Sequence, residues 1–283
     1  MDSSAVEIRL QHDGRERRAL VVVPPTLAAG TRVPLVVAFH GGLGTAALMR
    51  RQSGLDRVAA KHGFVVAYPD GIGRFRDRML TWNAGACCGY AMRVGSDDVG
   101  FTLALLDAIG SRVEVDPART HAVGFSNGGM FCYRLACEVP ERFAAIGVVS
   151  ATLTFDGPAP RLPTPVIHVH GLADRNVQFA GGIGENQFSR VDYRPVPDTI
   201  AWWRRVNRCR AAAVETVDGK DCRIERFAPD GPEGAPVVVV TLPEGGHTWP
   251  GGVDISEHLN TGRLVATVDA SEMLWQFLAA FHR

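Results

Sequence analysis

The sequence predicts an α/β fold: a mostly parallel central sheet flanked by helices, with an antiparallel hairpin at the N-terminus. Three observations carry that expectation. Short, almost continuous apolar runs recur at Leu35–Phe39, Phe64–Tyr68, His121–Phe125, Ala145–Val149, Val166–Val169 and Val237–Leu242, as in strands buried on both faces. Helical stretches separate most of these runs. Ahead of them, Val6, Ile8 and Leu10 alternate with polar residues, Asp13-Gly14 offers a turn, and Arg18–Val23 follows as a second strand.

The helices are expected at Ala46–Ala60, Val99–Val113, Asn127–Glu138 and Thr199–Asn207, with one more at the C-terminal end. In that last helix Ala270, Met273, Leu274, Phe277, Leu278 and Phe281 share one face, and Asp269 or Ser271 is placed to cap it. Gly181–Pro197 is the one long stretch without periodicity, a surface insertion or a substrate-binding loop. No composition break divides the chain, so residues 1–283 read as one domain.

Composition narrows the function. Of 283 residues, 46% are hydrophobic and 21% charged, enough apolar material for a core and no charge excess to oppose it. The 30 basic and 30 acidic side chains cancel, which argues against nucleic-acid or anionic-membrane partners. No apolar run is long enough to span a bilayer. The first ten residues carry Asp2, Glu7 and Arg9, so no signal peptide is expected in this chain. The six cysteines, Cys87, Cys88, Cys132, Cys137, Cys209 and Cys222, include no Cys-x-x-Cys pair, against a zinc ribbon or a thioredoxin-like site.

Gly124-Phe125-Ser126-Asn127-Gly128 is a Gly-x-Ser-x-Gly sequence between a strand and a helix. A sharp strand-to-helix turn there exposes the serine hydroxyl, and the helix N-terminus below it offers free amides to a developing oxyanion. Ser126 is the candidate nucleophile. His40-Gly41-Gly42-Leu43-Gly44 follows another strand and suits a loop that supplies a second oxyanion amide. The expected donors are the N–H groups of Leu43 and Asn127, with Gly42 as the fallback for Leu43 and also as a substrate-binding residue. His40 is expected to order the loop.

A serine nucleophile needs a histidine base, and the base needs a carboxylate to orient it. His247 follows the run Val237–Leu242 and the turn Pro243–Gly246, a suitable place for the base; His258 is the competitor. Asp174 lies just past the strand Val166–Val169, with Asp192 and Asp198 as later alternatives. Asp97 and Asp98 read as N-cap residues of the next helix. Trp82 and Trp249 flank the proposed site, either as stacking surfaces for a ring or as core; at least one of Trp202 and Trp203 is expected in the core.

With these segments in place the sequence resembles the polyhydroxybutyrate-depolymerase-type esterases, a group of α/β-hydrolases that includes feruloyl and acetylxylan esterases. The resemblance runs from about Arg18 to Phe281. It rests on His40-Gly41-Gly42, Thr81-Trp82-Asn83-Ala84-Gly85, Cys87-Cys88-Gly89, Asp97 to Phe101, Gly124 to Met130, His170-Gly171-Leu172-Ala173-Asp174 and, most specifically, Gly246-His247-Thr248-Trp249-Pro250-Gly251-Gly252. It implies the α/β-hydrolase fold, a triad of Ser126, Asp174 and His247, and no metal or organic cofactor. It also implies an extracellular or periplasmic setting and small or oligomeric ester substrates of plant cell-wall or polyester origin. Within it, Cys87 or Cys88 is in reach of Cys137, and Cys209 and Cys222 flank a loop that a disulfide would close; buried free thiols are the alternative. Two other readings stand beside it: a metal-dependent hydrolase built on His168, His170 and Asp174, and a non-catalytic carbohydrate- or polyester-binding protein on the same fold.

Overall fold

The computed structural model describes residues 5–25, 27, 30–75, 78–185, 190–254 and 261–283. Six strands run parallel at the centre of a ten-stranded sheet: β3 (Val33–Phe39), β4 (Val65–Pro69), β5 (Val115–Phe125), β6 (Ala145–Val149), β7 (Val166–Gly171) and β12 (Val237–Leu242). Their order across the sheet is β4-β3-β5-β6-β7-β12. The hairpin of β1 (Ala5–His12) and β2 (Arg15–Val22) adds antiparallel to β4 at one edge. The pair β10 (Glu215–Asp218) and β11 (Arg223–Phe227) adds antiparallel to β12 at the other.

Because side chains alternate along a strand, the central sheet feeds two cores. Leu35, Val37 and Phe39 enter one with Trp82, Phe101, Phe131 and Trp203. Val36 and Ala38 enter the other with Met49, Tyr68, Trp249 and Trp275. That double burial explains the unbroken apolar runs.

The helix expected at Asn127–Glu138 forms with those bounds, and others differ at their ends or at one break. The stretch from Ala46 forms two helices, α1 (Ala46–Ser53) and α2 (Leu55–His62). Gly54 divides them at φ 62°, a left-handed conformation that ends α1 by bonding its N–H to the Arg50 carbonyl. A short α3 (Gly89–Arg93) precedes α4 (Asp98–Gly110). Asp97 caps α4 by accepting from the Gly100 N–H, but Asp98 does not act as a cap: its buried carboxylate pairs with the buried Arg17 guanidinium at 2.8 Å. The stretch 181–197 contains the two-residue strands β8 (Gly182–Ile183) and β9 (Asp192–Tyr193) and the first two residues of α6 (Val196–Val206). The last helix, α7 (Ala270–Leu278), is capped by Asp269.

The cysteine pairings differ too. The Cys87 and Cys88 sulfur atoms lie against each other, and Cys132, Cys137, Cys209 and Cys222 are free thiols. Cys137 sits on α5 (Asn127–Glu138) with its side chain in the core, and burial pushes its thiol up to about 12, a proton-bound inert state.

Candidate active site

Three strand ends bring the site together. Ser126 follows β5 and opens α5, Asp174 follows β7, and His247 follows β12. β7 and β12 are parallel neighbours, so the loops after them leave the sheet side by side.

Ser126 sits at φ 52° and ψ −122°, a conformation that costs a non-glycine residue about 1–3 kcal/mol. The surroundings hold it there. The Ser126 N–H donates to the Val149 carbonyl on β6, and the serine carbonyl accepts from Met130 one turn into α5. A Cβ on Gly124 would land on the Gly128 backbone, and one on Gly128 on the Phe39 and His40 carbonyl oxygens. Only glycine therefore lets α5 start this close to β3 and β5.

Ser126, His247 and Asp174 lie in one hydrogen-bonded line. Asp174 Oδ2 is 2.8 Å from His247 Nδ1, and His247 Nε2 is 3.0 Å from Ser126 Oγ. A carboxylate only accepts, so Nδ1 carries the imidazole proton and Nε2 is left to accept from the serine hydroxyl. The other oxygen of Asp174 accepts the N–H groups of Asn176 at 2.8 Å and Val177 at 2.9 Å. Burial works to raise the Asp174 carboxyl, but His247, His170 and the Val177 amide outweigh it and hold the group below its ordinary value. The Phe125 ring packs against the imidazole, the two centroids 4.8 Å apart. Asp192 and Asp198 are exposed on β9 and α6, and His258 lies outside the described residues.

The oxyanion donors need one correction. The Leu43 N–H donates to the Leu80 carbonyl at 2.7 Å and is not free to meet a substrate. The Gly42 amide, the fallback donor, has no such partner among the described residues. The Asn127 amide is the first of α5 and has no partner within the helix. His40 does order this loop: its Nδ1–H donates to the Gly41 carbonyl, and Nε2 accepts from Gly71 N–H at 3.0 Å. Burial drives its pKa down to about 4, only partly opposed by the Gly41 carbonyl, so the ring is neutral at pH 7.

The two tryptophans are also corrected, because both indoles are buried and committed to the fold. Trp82 is 0% exposed, stacks on Phe131 and donates Nε1–H to the His40 carbonyl. Trp249 is 1% exposed and donates to Ser271 Oγ on α7. Neither can stack on a substrate ring. Their neighbours explain what they do. The Asn127 side chain accepts from Trp82 N–H and donates to Trp82 C=O, at 2.7 and 3.0 Å, clamping the 82–88 loop to the serine turn. An asparagine next to a nucleophile gives no sequence signal of that clamp.

His168 and His170 do not form a metal site. Val177 C=O can only accept, so His170 Nε2 carries its proton toward it and Nδ1 is an acceptor. His168 Nε2–H donates to that Nδ1 at 3.2 Å, and His168 Nδ1 accepts from Tyr133 O–H at 2.8 Å. All four ring nitrogens are occupied, and burial holds both imidazoles in the neutral form. Among the described residues no three His, Cys, Asp or Glu side chains gather in a metal-holding arrangement.

Comparison with known proteins fits this geometry. A family model named Esterase, described as "Putative esterase", matches residues 11–208. The chain belongs to this esterase family. It is a carboxylic-ester hydrolase. "Putative esterase NocK" of Nocardia uniformis subsp. tsuyamanensis is 32% identical over 81% of this esterase and 68% of its own length. Feruloyl esterase B of Piromyces equi is 27% identical over 82% of the chain, but the chain spans only 42% of that protein. Among solved structures, acetyl xylan esterase from Aspergillus awamori superposes with a TM-score of 0.63 at 16% identity, covering 86% of this chain and 94% of that one. S-formylglutathione hydrolase from Agrobacterium tumefaciens gives 0.62 at 16% identity, covering 98% and 97%. At such identity these two likenesses establish the α/β-hydrolase fold alone. No helix among the described residues is long and apolar enough to cross a membrane.

Proposed function

We propose that this esterase works through a covalent acyl-enzyme on Ser126. The observation that carries the reading is the line Ser126–His247–Asp174, with bonds of 3.0 and 2.8 Å and a tautomer that leaves Nε2 facing the hydroxyl. Ser126 Oγ attacks the ester carbonyl while His247 Nε2 takes its proton. The amides of Gly42 and Asn127 hold the oxyanion, each such donor contributing about 3 kcal/mol in the transition state. His247 then gives the proton to the leaving alcohol. Water, activated by the same nitrogen, releases the acid and restores Ser126. Asp174 stays ionised throughout and stabilises the imidazolium.

The substrates we propose are aromatic (feruloyl-type), acetyl or short hydroxyalkanoate esters, the first two supported by the relatives' names. An extracellular or periplasmic setting belongs to the same reading.

Substituting Ser126→Ala tests the mechanism. Hydrolysis of short p-nitrophenyl esters is expected to vanish with the melting temperature retained, and a serine-directed phosphonate is expected to label only the parent enzyme. Near-parental turnover in the variant refutes the mechanism. Methyl ferulate, an acetylated sugar and a hydroxybutyrate oligomer, assayed beside the p-nitrophenyl ester, rank the substrates.

A further inference from the structure

Next to the oxyanion loop lies a cavity of about 380 Å³ that the mechanism does not use. Leu43, Phe75, Met79, Tyr90 and Met92 line it, together with the exposed side chains of Arg74 and Arg93. Its position follows from the backbone. Ile72 and Thr81 exchange paired backbone hydrogen bonds, and Leu80 bridges to Leu43 and Gly44. Thr81 is followed by Trp82, which Asn127 clamps to the serine turn. Gly41 leaves so little room that a Cβ there would come within 3.4 Å of Ser126 Cβ. Two of its lining residues thus adjoin the site along the chain: Leu43 follows Gly42, and Thr81 precedes the clamped Trp82.

Two features of this cavity point to a ligand. Phe75 and Met79 are 58% and 52% exposed, an apolar surface left in water at the mouth of an enzyme site. Arg74 and Arg93 have no carboxylate in reach among the described residues, although most arginines of this chain are paired. An apolar bed that ends in two unpaired guanidiniums is complementary to an apolar body ending in an anion.

We propose that this cavity is a substrate subsite selecting esters that carry a carboxylate at the far end of an apolar chain or ring. The inference rests on the Ser126 esterase reading and deepens it. The reacting ester lies at Ser126, the apolar segment runs past Leu43 over Phe75 and Met79, and the carboxylate meets Arg74 and Arg93. The interaction acts through binding, so it is read in KM and kcat/KM.

Two matched pairs of soluble esters test it. One pair is the acetyl ester of hydroxyphenylpropionate and that of its carboxamide, with the charge on the alcohol side. The other is the monomethyl ester of suberate and its half-amide, with the charge on the acyl side. In at least one pair the carboxylate is expected to be favoured about fivefold in kcat/KM, and the preference to shrink as salt is raised. In the double variant Arg74→Gln/Arg93→Gln the ratio is expected to fall to about one while the carboxamide rate stays unchanged. Both side chains are exposed, so the variant keeps its melting temperature. A ratio near one in both pairs for the parent enzyme, or a preference that survives in the double variant, overturns the subsite. Phosphonate labelling separates the two levels. No turnover of any of the four esters with Ser126 still labelled removes the subsite alone, and no turnover with no labelling removes the esterase mechanism with it.

Discussion

His170 Nε2 sits 3.5 Å from Asp174 Oδ2 while donating its proton to the Val177 carbonyl at 2.8 Å. The same short segment, Asp174 to Val177, thus receives support from inside the core. Tyr133, His168 and His170 form a one-way chain of donors that ends on it.

His170 is accordingly a positioning residue. His170→Ala is expected to lower kcat about ten- to a hundredfold with KM nearly unchanged, because small displacements of an orienting group are costly. His170→Gln retains a donor for Val177 and is expected to recover most of the loss. Equal defects in the two variants, measured by steady-state kinetics on a p-nitrophenyl ester, refute the positioning role.

Asp174→Asn keeps the shape of the line but removes the charge. Its amide can present N–H to His247, which then turns its proton toward Ser126 and can no longer accept. A fall in kcat of about 10⁴ is expected with little change in fold. Circular dichroism and turnover of the purified variant check both halves.

The loops after β7 and β12 meet with no room to spare. A Cβ on Gly171 would fall on the Gly245 carbonyl oxygen and crowd that of Gly246. Gly171→Ala is expected to drive the two loops apart and lengthen the bond from Asp174 to His247. Activity should fall by at least an order of magnitude, as for other small misplacements of reacting groups. Parental kcat in this variant refutes the crowding argument.

Acid should unfold this protein through its buried imidazoles. Burial lowers His40 to about 4 and His121 to about 3, the latter helped by Arg119, and His121 Nδ1 has no hydrogen-bond partner. In the unfolded chain histidine titrates near 6.5. Below that pH the unfolded state takes up protons that the folded rings refuse, so stability is lost as pH falls from about 6.5 toward 4 and then 3. Asp174, held low in the fold, adds to the loss at the acid end. His121→Phe, which keeps an aromatic ring against Trp275, is expected to flatten the decline in melting temperature between about pH 6 and 4. An unchanged slope refutes the assignment.

What the sequence revealed and what it hid divide along a physical line. The strands of the parallel centre were legible because burial on both faces writes itself as a run, as in Val237–Leu242. So were the strand-end positions of Ser126, Asp174 and His247, each within three residues of a glycine. Hidden were features that depend on a partner far along the chain. Leu80 takes the Leu43 amide, Asn127 clamps Trp82, and Tyr133 closes the histidine chain across 35 residues. β10 was hidden for another reason: all four of its residues are exposed, so no apolar alternation marks it. Gly54 reads as a tolerated helix glycine until its positive φ is seen.

The buried Trp249 has one more consequence. Its indole N–H reaches Ser271 Oγ on α7, and that hydroxyl donates at 2.7 Å to the Ser53 carbonyl at the end of α1. The segment bearing His247 is thereby moored, two residues on, to a helix whose own cap and packing lie on the opposite side of the sheet from Trp82 and Phe131. Loosening α7 would slacken that mooring and set the imidazole adrift while leaving the serine turn intact. Activity is therefore expected to fall on heating no later than the structure itself does.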